Sequence, residues 1–434
     1  MTDTMRDPHY NAKEDCLELE NTKWSYDRDS KTLRIWGAGD MVECDEVRTS
    51  EYRSLLAPWR VFASRTKKVV IEEGVTSISE EAFGGFMLME SLSIPNSVKT
   101  IREFAFRDCA SLRIIEIPGG VTEIKPRSFF NCYGLEDATV SESNPVFYSE
   151  AGVIFRRDGT LIFYPPRKKD EIYYVPEGTK IIGFEAFGFN SNDNLKQLFL
   201  PKGLEKVDGW IQIPSLTDVF IPEGVEGISP TIFAHSSCCP AFHVDEGNKA
   251  FKSIDGVIYS KDGRTLIVYP DPKEGTTYEI PEWVEEIQFG MDSVKSYNVS
   301  EGNKAFKSID GVLFSKDGGT LIRYPAYRFD REYTVPEGVR SISRNAFNDC
   351  PGLEIVNMPD SLEHISEFAF TGCEDLKEVR LTHIPQNVMG SDNQDPAYDD
   401  IEGWFSECDN MELIVHGKTF MKWTTEDDDS DPGE

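Results

Sequence analysis

Apolar residues recur along this chain with a period of 23 residues. Residues 98–120 (VKTIREFAFRDCASLRIIEIPGG) form one copy of the repeat; the next copy begins at Val121 and the previous one at Val75. Counted from the first valine, positions 8, 9 and 12 have the spacing of one helical turn, and positions 18 and 20 alternate as in a strand. Proline at position 21 ends the strand because it has no amide proton. Each copy therefore predicts a short helical turn followed by a strand.

One such unit is too small to bury its own apolar side, so neighbouring units must stack. Nine units begin at Val75, Val98, Val121, Thr179, Leu204, Val225, Val284, Val339 and Leu362. We therefore predict a repeat solenoid, a right-handed curved array with a parallel β-sheet on one face and short helical turns on the outer face.

Three intervals between unit starts are longer, and the additional sequence is itself repeated. It reads NPVFYSEAGVIFRRDGTLIFYP from Asn144, and similar segments begin at Asn248 and Asn303. In each segment an Asp-Gly pair lies between two alternating apolar stretches, which indicates a β-hairpin because glycine accepts a positive φ at the turn. We predict inserted hairpins near 144–170, 248–274 and 303–328.

The remaining segments flank the array. Trp24, Trp36 and Trp59 are suited to covering its first exposed core layer, as the ends of a repeat array require. The predicted domains are a disordered segment at 1–15, an N-terminal β cap at 16–74, the solenoid at 75–381, a C-terminal insertion and cap at 382–423, and a disordered acidic tail at 424–434.

Charge and composition narrow the classes of partner. The net charge is −31 and the isoelectric point is about 4.6, which disfavours binding to nucleic acid and to anionic lipid. No run of about 18 apolar residues is present, so we predict no membrane insertion. The N-terminal residues are polar and lack the plan of a signal peptide.

Cysteine usage favours reduced thiols over a disulfide framework. The chain has nine cysteines, an odd number. Cys109, Cys132, Cys350 and Cys373 all occupy position 12 of the repeat, where a small buried apolar side chain is expected.

The search for chemistry yields two metal candidates and no catalytic constellation. His235, Cys238, Cys239 and His243 lie within nine residues, but their spacing fits no standard zinc pattern, and a degenerate outer turn is the favoured interpretation. A calcium loop is the alternative to a solvated loop for the acidic residues Asp392, Asp395, Asp399, Asp400 and Glu402. We predict no catalytic residue, no bound metal and no cofactor.

One column of side chains stands out as a candidate binding surface. If positions 18 and 20 face the core, position 19 faces outward. Four adjacent strands then present Tyr174, Phe199, Phe220 and His243. Adjacent exposed aromatic residues often mark binding surfaces. The alternative is that an inserted hairpin or a terminal loop packs over them.

The hairpin tips are a second candidate surface. They carry basic side chains on an otherwise acidic chain: Arg156, Arg157, Lys261 and Lys316. Protection of an exposed strand edge is the favoured interpretation, because charged side chains there discourage the addition of another strand.

The repeat V-x-x-I-x-x-x-A-F-x-x-C-x-x-L-x-x-I-x-I-P resembles the BspA-type (treponemal-type) leucine-rich repeat of bacterial surface proteins. Val98 to Pro118 matches it at every position, and the resemblance extends over about residues 20–420. It implies a leucine-rich-repeat solenoid without a catalytic motif, in proteins that bind matrix proteins, host cells or other bacteria. It also implies a surface or secreted location, whereas the lack of a visible signal peptide leaves the cytoplasm open.

These observations lead to one principal functional prediction. The chain is expected to be a non-enzymatic binding protein that holds a protein or glycan partner on the sheet face. A structural or spacer component of a larger assembly is the alternative, and a hydrolase is a remote third.

Overall fold

A repeat unit that the structure describes in full contributes two short parallel strands and a run of tight turns. In the unit that begins at Val98, the strands are Thr100–Ile101 and Ile114–Ile117. Ile115 and Ile117 are buried, whereas Glu116 between them is exposed. The predicted phase of the strand is confirmed, because alternate side chains point to opposite faces of a sheet.

The segment between the two strands forms tight turns, and the predicted helical turn is absent. Phe104 and Asp108 have φ values of 53° and 60°, in the left-handed region that a right-handed helix excludes. The same segment bonds to the following repeat: Phe106 N–H donates to Ser128 C=O and Asp108 N–H donates to Phe130 C=O, both at 2.9 Å. A ladder of turns therefore replaces the predicted helical face.

The computed structural model describes the following residues: 16–18, 22–41, 46–49, 52–55, 57–187, 192–209, 211, 213–226, 241–270, 276–289, 294–385, 401, 403–405, 408 and 411–422. The chain divides into two compact parts, which we call the first unit (Met1–Gly256) and the second unit (Val257–Glu434). Among the described residues, no helix has the length and apolar composition needed to cross a bilayer.

The first unit opens with a mixed sheet. Its strands, in spatial order, are Cys16–Glu18, Thr22–Asp27, Thr32–Gly37, Lys68–Ile71 and Ser91–Ser93. The first three pair antiparallel and the last three pair parallel. A 3₁₀ helix, Pro58–Phe62, carries Trp59, whose Nε1 donates to Ala82 C=O at 2.7 Å. Buried Trp59 thus joins this segment to the first repeat.

Parallel strands and one hairpin make up most of the rest of the first unit. One sheet contains Gly39–Asp40, Val75–Ile78, Thr100–Ile101 and Glu123–Ile124. Ile114–Ile117 pairs with Asp137–Val140, and Ile172–Tyr174, Gln197–Phe199, Asp218–Ile221 and Ala241–Val244 form a four-stranded sheet. Glu46–Thr49 and Tyr52–Leu55 form a hairpin, and Phe251–Ile254 is the last strand of the unit.

The first insert has three strands, one more than a simple hairpin. The strands are Phe147–Glu150, Val153–Arg156 and Thr160–Phe163, and each pairs antiparallel with the next along the chain. The sheet then continues with the parallel strands Ile181–Ile182 and Lys206–Val207. The predicted turn at Gly159 is present, with a φ of 93°. A further turn places Gly152 C=O 3.1 Å from Ala138 N–H, which donates to it. The insert therefore closes the edge of the preceding parallel sheet.

A buried asparagine begins each insert. The Asn144 side chain donates to Pro118 C=O at 2.9 Å and to Val121 C=O at 2.8 Å, and its Oδ1 accepts the N–H groups of Val146 and Phe147. Asn248 and Asn303 repeat this pattern. Each asparagine satisfies four backbone groups where the chain leaves the array.

The second unit has the same plan. Val257–Ser260, Thr265–Val268 and Glu286–Phe289 form one set of strands, and Thr276–Ile280 pairs with Val294–Val299. A five-stranded sheet contains Phe306–Ile309, Val312–Ser315, Thr320–Arg323, Ser341–Ile342 and His364–Ile365. Another contains Glu332–Thr334, Ile355–Asn357, Glu378–Leu381, Glu412–Val415 and Lys418–Lys422, and a 3₁₀ helix spans Ala326–Arg328.

Columns of equivalent side chains fill the core. Phe83, Phe106 and Phe129 stack with centroids 5.5 and 5.9 Å apart. Cys109 and Cys132 are buried free thiols, and their Sγ atoms donate to the C=O groups of Phe83 and Phe106. Burial raises the pKa of the Cys109 thiol. The prediction of buried reduced thiols is confirmed at position 12, because Cys350 and Cys373 are also free and buried.

Candidate binding surface

Four consecutive parallel strands of the first unit position the predicted aromatic column. Their inward side chains, Tyr173, Leu198, Val219 and Phe242, are all buried. The strands pair in register, so the next residue of each strand points outward beside its equivalent. The column that results is Tyr174, Phe199, Phe220 and His243. The structure therefore brings all four predicted site residues together on one face.

The four rings stack on one another. Centroids are 4.4 Å apart for Tyr174 and Phe199, 4.0 Å for Phe199 and Phe220, and 4.5 Å for Phe220 and His243. The planes of these pairs differ by 22°, 1° and 16°. Paired strands lie about 4.8 Å apart, which allows in-register rings to stack along the sheet. We call this set of four residues the aromatic ladder.

Exposure differs between the ends and the middle of the ladder. Tyr174 is 65% exposed, and the side chain of His243 is 47% exposed. Phe199 and Phe220 are partly buried, because each has a neighbouring ring on both faces. The described residues therefore leave the ladder open to solvent, most of all at Tyr174.

An aspartate fixes the ring at the far end. His243 Nε2 lies 2.6 Å from Asp218 Oδ1, and Thr217 Oγ1 donates to Asp218 Oδ2 at 2.8 Å. Partial burial raises the pKa of Asp218, but hydrogen bonds from His243, Thr217 and Gln197 outweigh it and hold that pKa below its ordinary value. Asp218 is thus a charged anchor that keeps the imidazole flat against Phe220.

Acidic side chains predominate around the ladder. On the four strands, the residues just before them and the turns that end them, the lysines are Lys196 and Lys202, and the carboxylates are Glu171, Glu177, Asp218, Glu223, Asp245 and Glu246. Both lysines lie 3.1 Å from a carboxylate, Lys196 from Glu171 and Lys202 from Glu223. The surround of the ladder is therefore negative.

The basic residues at the first hairpin are held against the insert. Arg157 donates to Asn144 C=O at 3.1 Å, and its guanidinium lies 5.7 Å from the ring centroid of Tyr148. Arg156 lies 3.7 Å from Asp158 and packs over Phe147. These contacts agree with a local structural role for both arginines.

A cavity of about 230 Å³ lies beside the same insert, and sequence reasoning gave no sign of it. Arg127 crosses its wall to meet Glu185 in a two-pronged ion pair, with the shortest contact at 2.9 Å. The guanidinium also lies between the rings of Phe104 and Phe184. Because the side chain of Glu185 is almost fully buried and paired with Arg127, this arrangement joins the repeats on either side of the insert.

Most residues of the two candidate metal sites lie outside the described part of the chain. Of the cysteine and histidine cluster, only His243 is described, and its imidazole bonds to Asp218; His235, Cys238 and Cys239 lie outside the described residues. The acidic residues between 392 and 402 also lie outside them. Within the part of the chain that the structure describes, no group of three or more His, Cys, Asp or Glu side chains is arranged to hold a metal ion.

Comparison with known proteins gives one family and several distant structures. The model of the BspA type leucine rich repeat region matches six copies, over residues 61–151, 167–254 and 330–392. No curated protein sequence matches the chain.

Three solved structures are similar at low identity. A leucine-rich repeat protein from Eubacterium ventriosum is 17% identical, with 94% of this chain and 95% of that chain covered and a TM-score of 0.36. A leucine rich cell surface protein from Faecalibacterium prausnitzii is 16% identical, with 84% of this chain and 94% of that chain covered and a TM-score of 0.35. A leucine-rich repeat protein from Bacteroides ovatus is 18% identical, with 92% of this chain and 99% of that chain covered and a TM-score of 0.26. The family match covers more than half of the sequence and coincides with the repeats described above. The chain belongs to the BspA-type leucine-rich-repeat family.

Proposed function

We propose that the chain is a non-enzymatic interaction protein and that the aromatic ladder binds a segment of a partner protein. The observation that carries the proposal is the in-register stack of four rings on an outward sheet face, open to solvent at Tyr174. Most core positions of repeat strands are explained by packing, but an exposed aromatic column is not. A contiguous exposed apolar surface is typical of a binding site.

Ring orientation favours a protein over a glycan at this site. A sugar ring stacks on an exposed aromatic face, but the inner faces of the ladder are already covered by neighbouring rings 4.0–4.5 Å away. At Phe199 and Phe220 a partner therefore meets ring edges, and only the end rings Tyr174 and His243 have a face that the ladder does not cover. The edges carry the positive part of the aromatic quadrupole and attract aromatic faces and carbonyl oxygens. Aromatic side chains and peptide carbonyls supply both groups.

Charge favours a basic partner segment. Six carboxylates and two lysines surround the ladder, and the chain as a whole carries a net charge of −31. Lysine or arginine residues on the partner would be attracted to this field, and salt would weaken that attraction. The proposed ligand is thus a protein segment that combines aromatic residues with basic ones.

Selection from a random peptide library tests this proposal. The full chain is used as bait, and the affinities of enriched peptides are measured by fluorescence anisotropy. Enriched peptides should contain aromatic and basic residues. Phe199→Ala/Phe220→Ala should weaken their binding by about tenfold or more, as the loss of central aromatic contacts does. Raising the salt concentration should weaken binding by the wild-type chain.

Thr334→Ala/Asn357→Ala is the matched control, because these residues occupy the equivalent outward positions of the second unit. It should leave peptide binding unchanged. Equal binding by the ladder variant and the wild-type chain would refute the role of the ladder. Binding of oligosaccharides, lost in the ladder variant, would keep the site and refute the class of partner.

A further inference from the structure

A second site lies where the parallel sheet of the first unit is interrupted. Ser91–Ser93 and Ile114–Ile117 are the equivalent strands of two consecutive repeats, yet they belong to different sheets. The same two repeats remain joined elsewhere. Val75–Ile78 pairs with Thr100–Ile101, and Phe83 N–H donates to Ala105 C=O at 2.9 Å. The repeats have therefore separated along one face only.

The interruption leaves specific backbone groups without the bonds that their equivalents make. Lys67 C=O accepts the N–H groups of Glu90 and Ser91, at 2.8 and 3.2 Å. One repeat later, the equivalent acceptor is Glu90 C=O and the equivalent donors are Arg113 and Ile114, but no such bond joins them in this described region. Two N–H donors and one C=O acceptor consequently face the gap.

Side-chain volume explains why the strands separate here. Phe86 and Met89 stand where the following repeat has Cys109 and Leu112, and all four side chains are buried. Phe86 packs edge-on against Phe83, with centroids 5.6 Å apart. A phenylalanine where the next two repeats have Cys109 and Cys132 adds volume between two repeats, and close-packed cores accommodate extra volume by shifting the backbone.

The groove at the interruption has a volume of about 750 Å³ and a mixed lining. Ser93, Glu116 and Thr139 present exposed polar groups, and Ile114, 52% exposed, presents an apolar surface among them. The other charges at the groove are already paired: Glu90 lies 2.6 Å from Lys67 and Arg113 lies 2.7 Å from Glu136. The groove therefore offers hydrogen-bond donors, acceptors and one apolar patch with little net charge.

The width of the gap excludes an added β-strand. A strand inserted between two others would hold them about 9.6 Å apart, twice the usual spacing of about 4.8 Å. Some Cα atoms of the two strands approach within 8 Å of each other. The open backbone groups can therefore be reached by small polar groups but not by a peptide main chain lying between the strands.

We propose that this groove binds a neutral oligosaccharide. Sugar hydroxyl groups both donate and accept hydrogen bonds, which matches the open N–H and C=O groups and the side chains of Ser93, Glu116 and Thr139. The C–H face of a sugar ring matches the exposed Ile114 side chain. This site is separate from the aromatic ladder, and its ligand belongs to a different chemical class.

An array of neutral and sialylated oligosaccharides probed with the full chain tests the inference. The chain should retain one or more neutral oligosaccharides. Ser93→Ala/Glu116→Ala/Thr139→Ala should reduce the affinity for a retained oligosaccharide by about tenfold or more, since several hydrogen bonds are lost. These three side chains are exposed, so the variant should keep the thermal stability of the wild-type chain.

Thr334→Ala/Asn357→Ala/Arg380→Ala is the control at equivalent positions, in a sheet whose strands are fully paired. It should bind the oligosaccharide as the wild-type chain does. Amide hydrogen exchange gives a second readout: the N–H groups of Arg113 and Ile114 should exchange fast in the free chain and more slowly with the bound oligosaccharide.

Retention of no neutral oligosaccharide would overturn the inference, as would equal binding by the triple variant. Displacement of the bound oligosaccharide by the peptides selected on the aromatic ladder would also overturn it, because the two sites would then be one. Phe199→Ala/Phe220→Ala should leave oligosaccharide binding intact, which separates this result from the test of the ladder.

Discussion

The outward faces of two parallel sheets, one in each unit, present opposite chemistry on the same backbone. In the first unit, position 19 of four strands forms a ladder of rings from Tyr174 to His243. In the second unit, the equivalent in-register residues are the polar Thr334, Asn357 and Arg380, followed by Ile414 on the last parallel strand. Asn357 Nδ2 donates to Thr334 Oγ1 at 3.2 Å and Arg380 Nε donates to Glu378 at 2.7 Å. One column is held by stacking and the other by hydrogen bonds.

The difference teaches that the fold does not determine position 19. Positions 18 and 20 are apolar in both sheets and buried except for the half-buried Val244 and Val415, whereas position 19 points to solvent in both. Rings and polar side chains are equally compatible with the strand pairing. A column of rings at a position that the fold leaves free is therefore the feature that most needs a functional explanation.

The largest expected effect concerns what the two regions share. Asn144→Ala in the first unit and Asn303→Ala in the second should each lower stability by about 3 kcal/mol or more, because each removes four hydrogen bonds between a buried side chain and the backbone. Urea unfolding of the full chain measures the change. Asn357→Ala is the exposed control and should change little.

Similar losses from the two substitutions would show that the inserts play one structural role in both regions. A loss in only one of them would break the comparison, since the scaffolds of the two sheets would then differ as well as their faces. Wild-type stability in both variants would contradict the role assigned to the buried asparagine.

Local patterns in the sequence predicted much of this architecture. The outward phase of Tyr174 and Phe199 follows from strand alternation, and their pairing follows from equivalent positions in successive repeats. The tight turns were missed because Phe104 and Asp108 adopt positive φ without being glycine. The role of Asn144 was also missed, although an asparagine begins every insert and its repetition was a usable signal.

Other features depend on contacts between distant residues. The turn that adds a strand to the first insert had a local signal in the sequence, Gly152. The hydrogen bond from Ala138 N–H to Gly152 C=O had no such signal. The interrupted sheet depends on the volume of Phe86 between two repeats, which becomes apparent only when the columns are packed. Such effects arise from three-dimensional volume, which the period of apolar residues does not record.

An intermediate effect should distinguish the two columns by stability. Phe220→Ala removes the stacking of one ring on both Phe199 and His243, and it should cost about 1–2 kcal/mol. Asn357→Ala removes exposed hydrogen bonds and should cost less than about 1 kcal/mol. Thermal unfolding of both variants measures the difference. Equal losses would mean that stacking adds nothing beyond what a polar column provides.

The smallest expected effect is a dependence on pH in the polar region. Glu354 accepts hydrogen bonds from Arg331 and Lys377, and these bonds lower its pKa from 4.5 to about 2. Because the pKa of Glu354 is lower in the folded chain than in the unfolded chain, its ionised form stabilises the fold, and this contribution is fully present above pH 4.5. The contribution is lost as the pH falls from about 4.5 towards 2.

Glu354→Gln removes the titrating group and should flatten that part of the stability curve. The change should be small, because the pair lies at the surface and solvent screens it. Urea midpoints of the wild-type chain and the variant, compared at about pH 7 and about pH 3, measure it, and the two midpoints should converge at the lower pH. A gap that widens on acidification would show that Glu354 gains a proton on folding, and would contradict its ion pairs with Arg331 and Lys377.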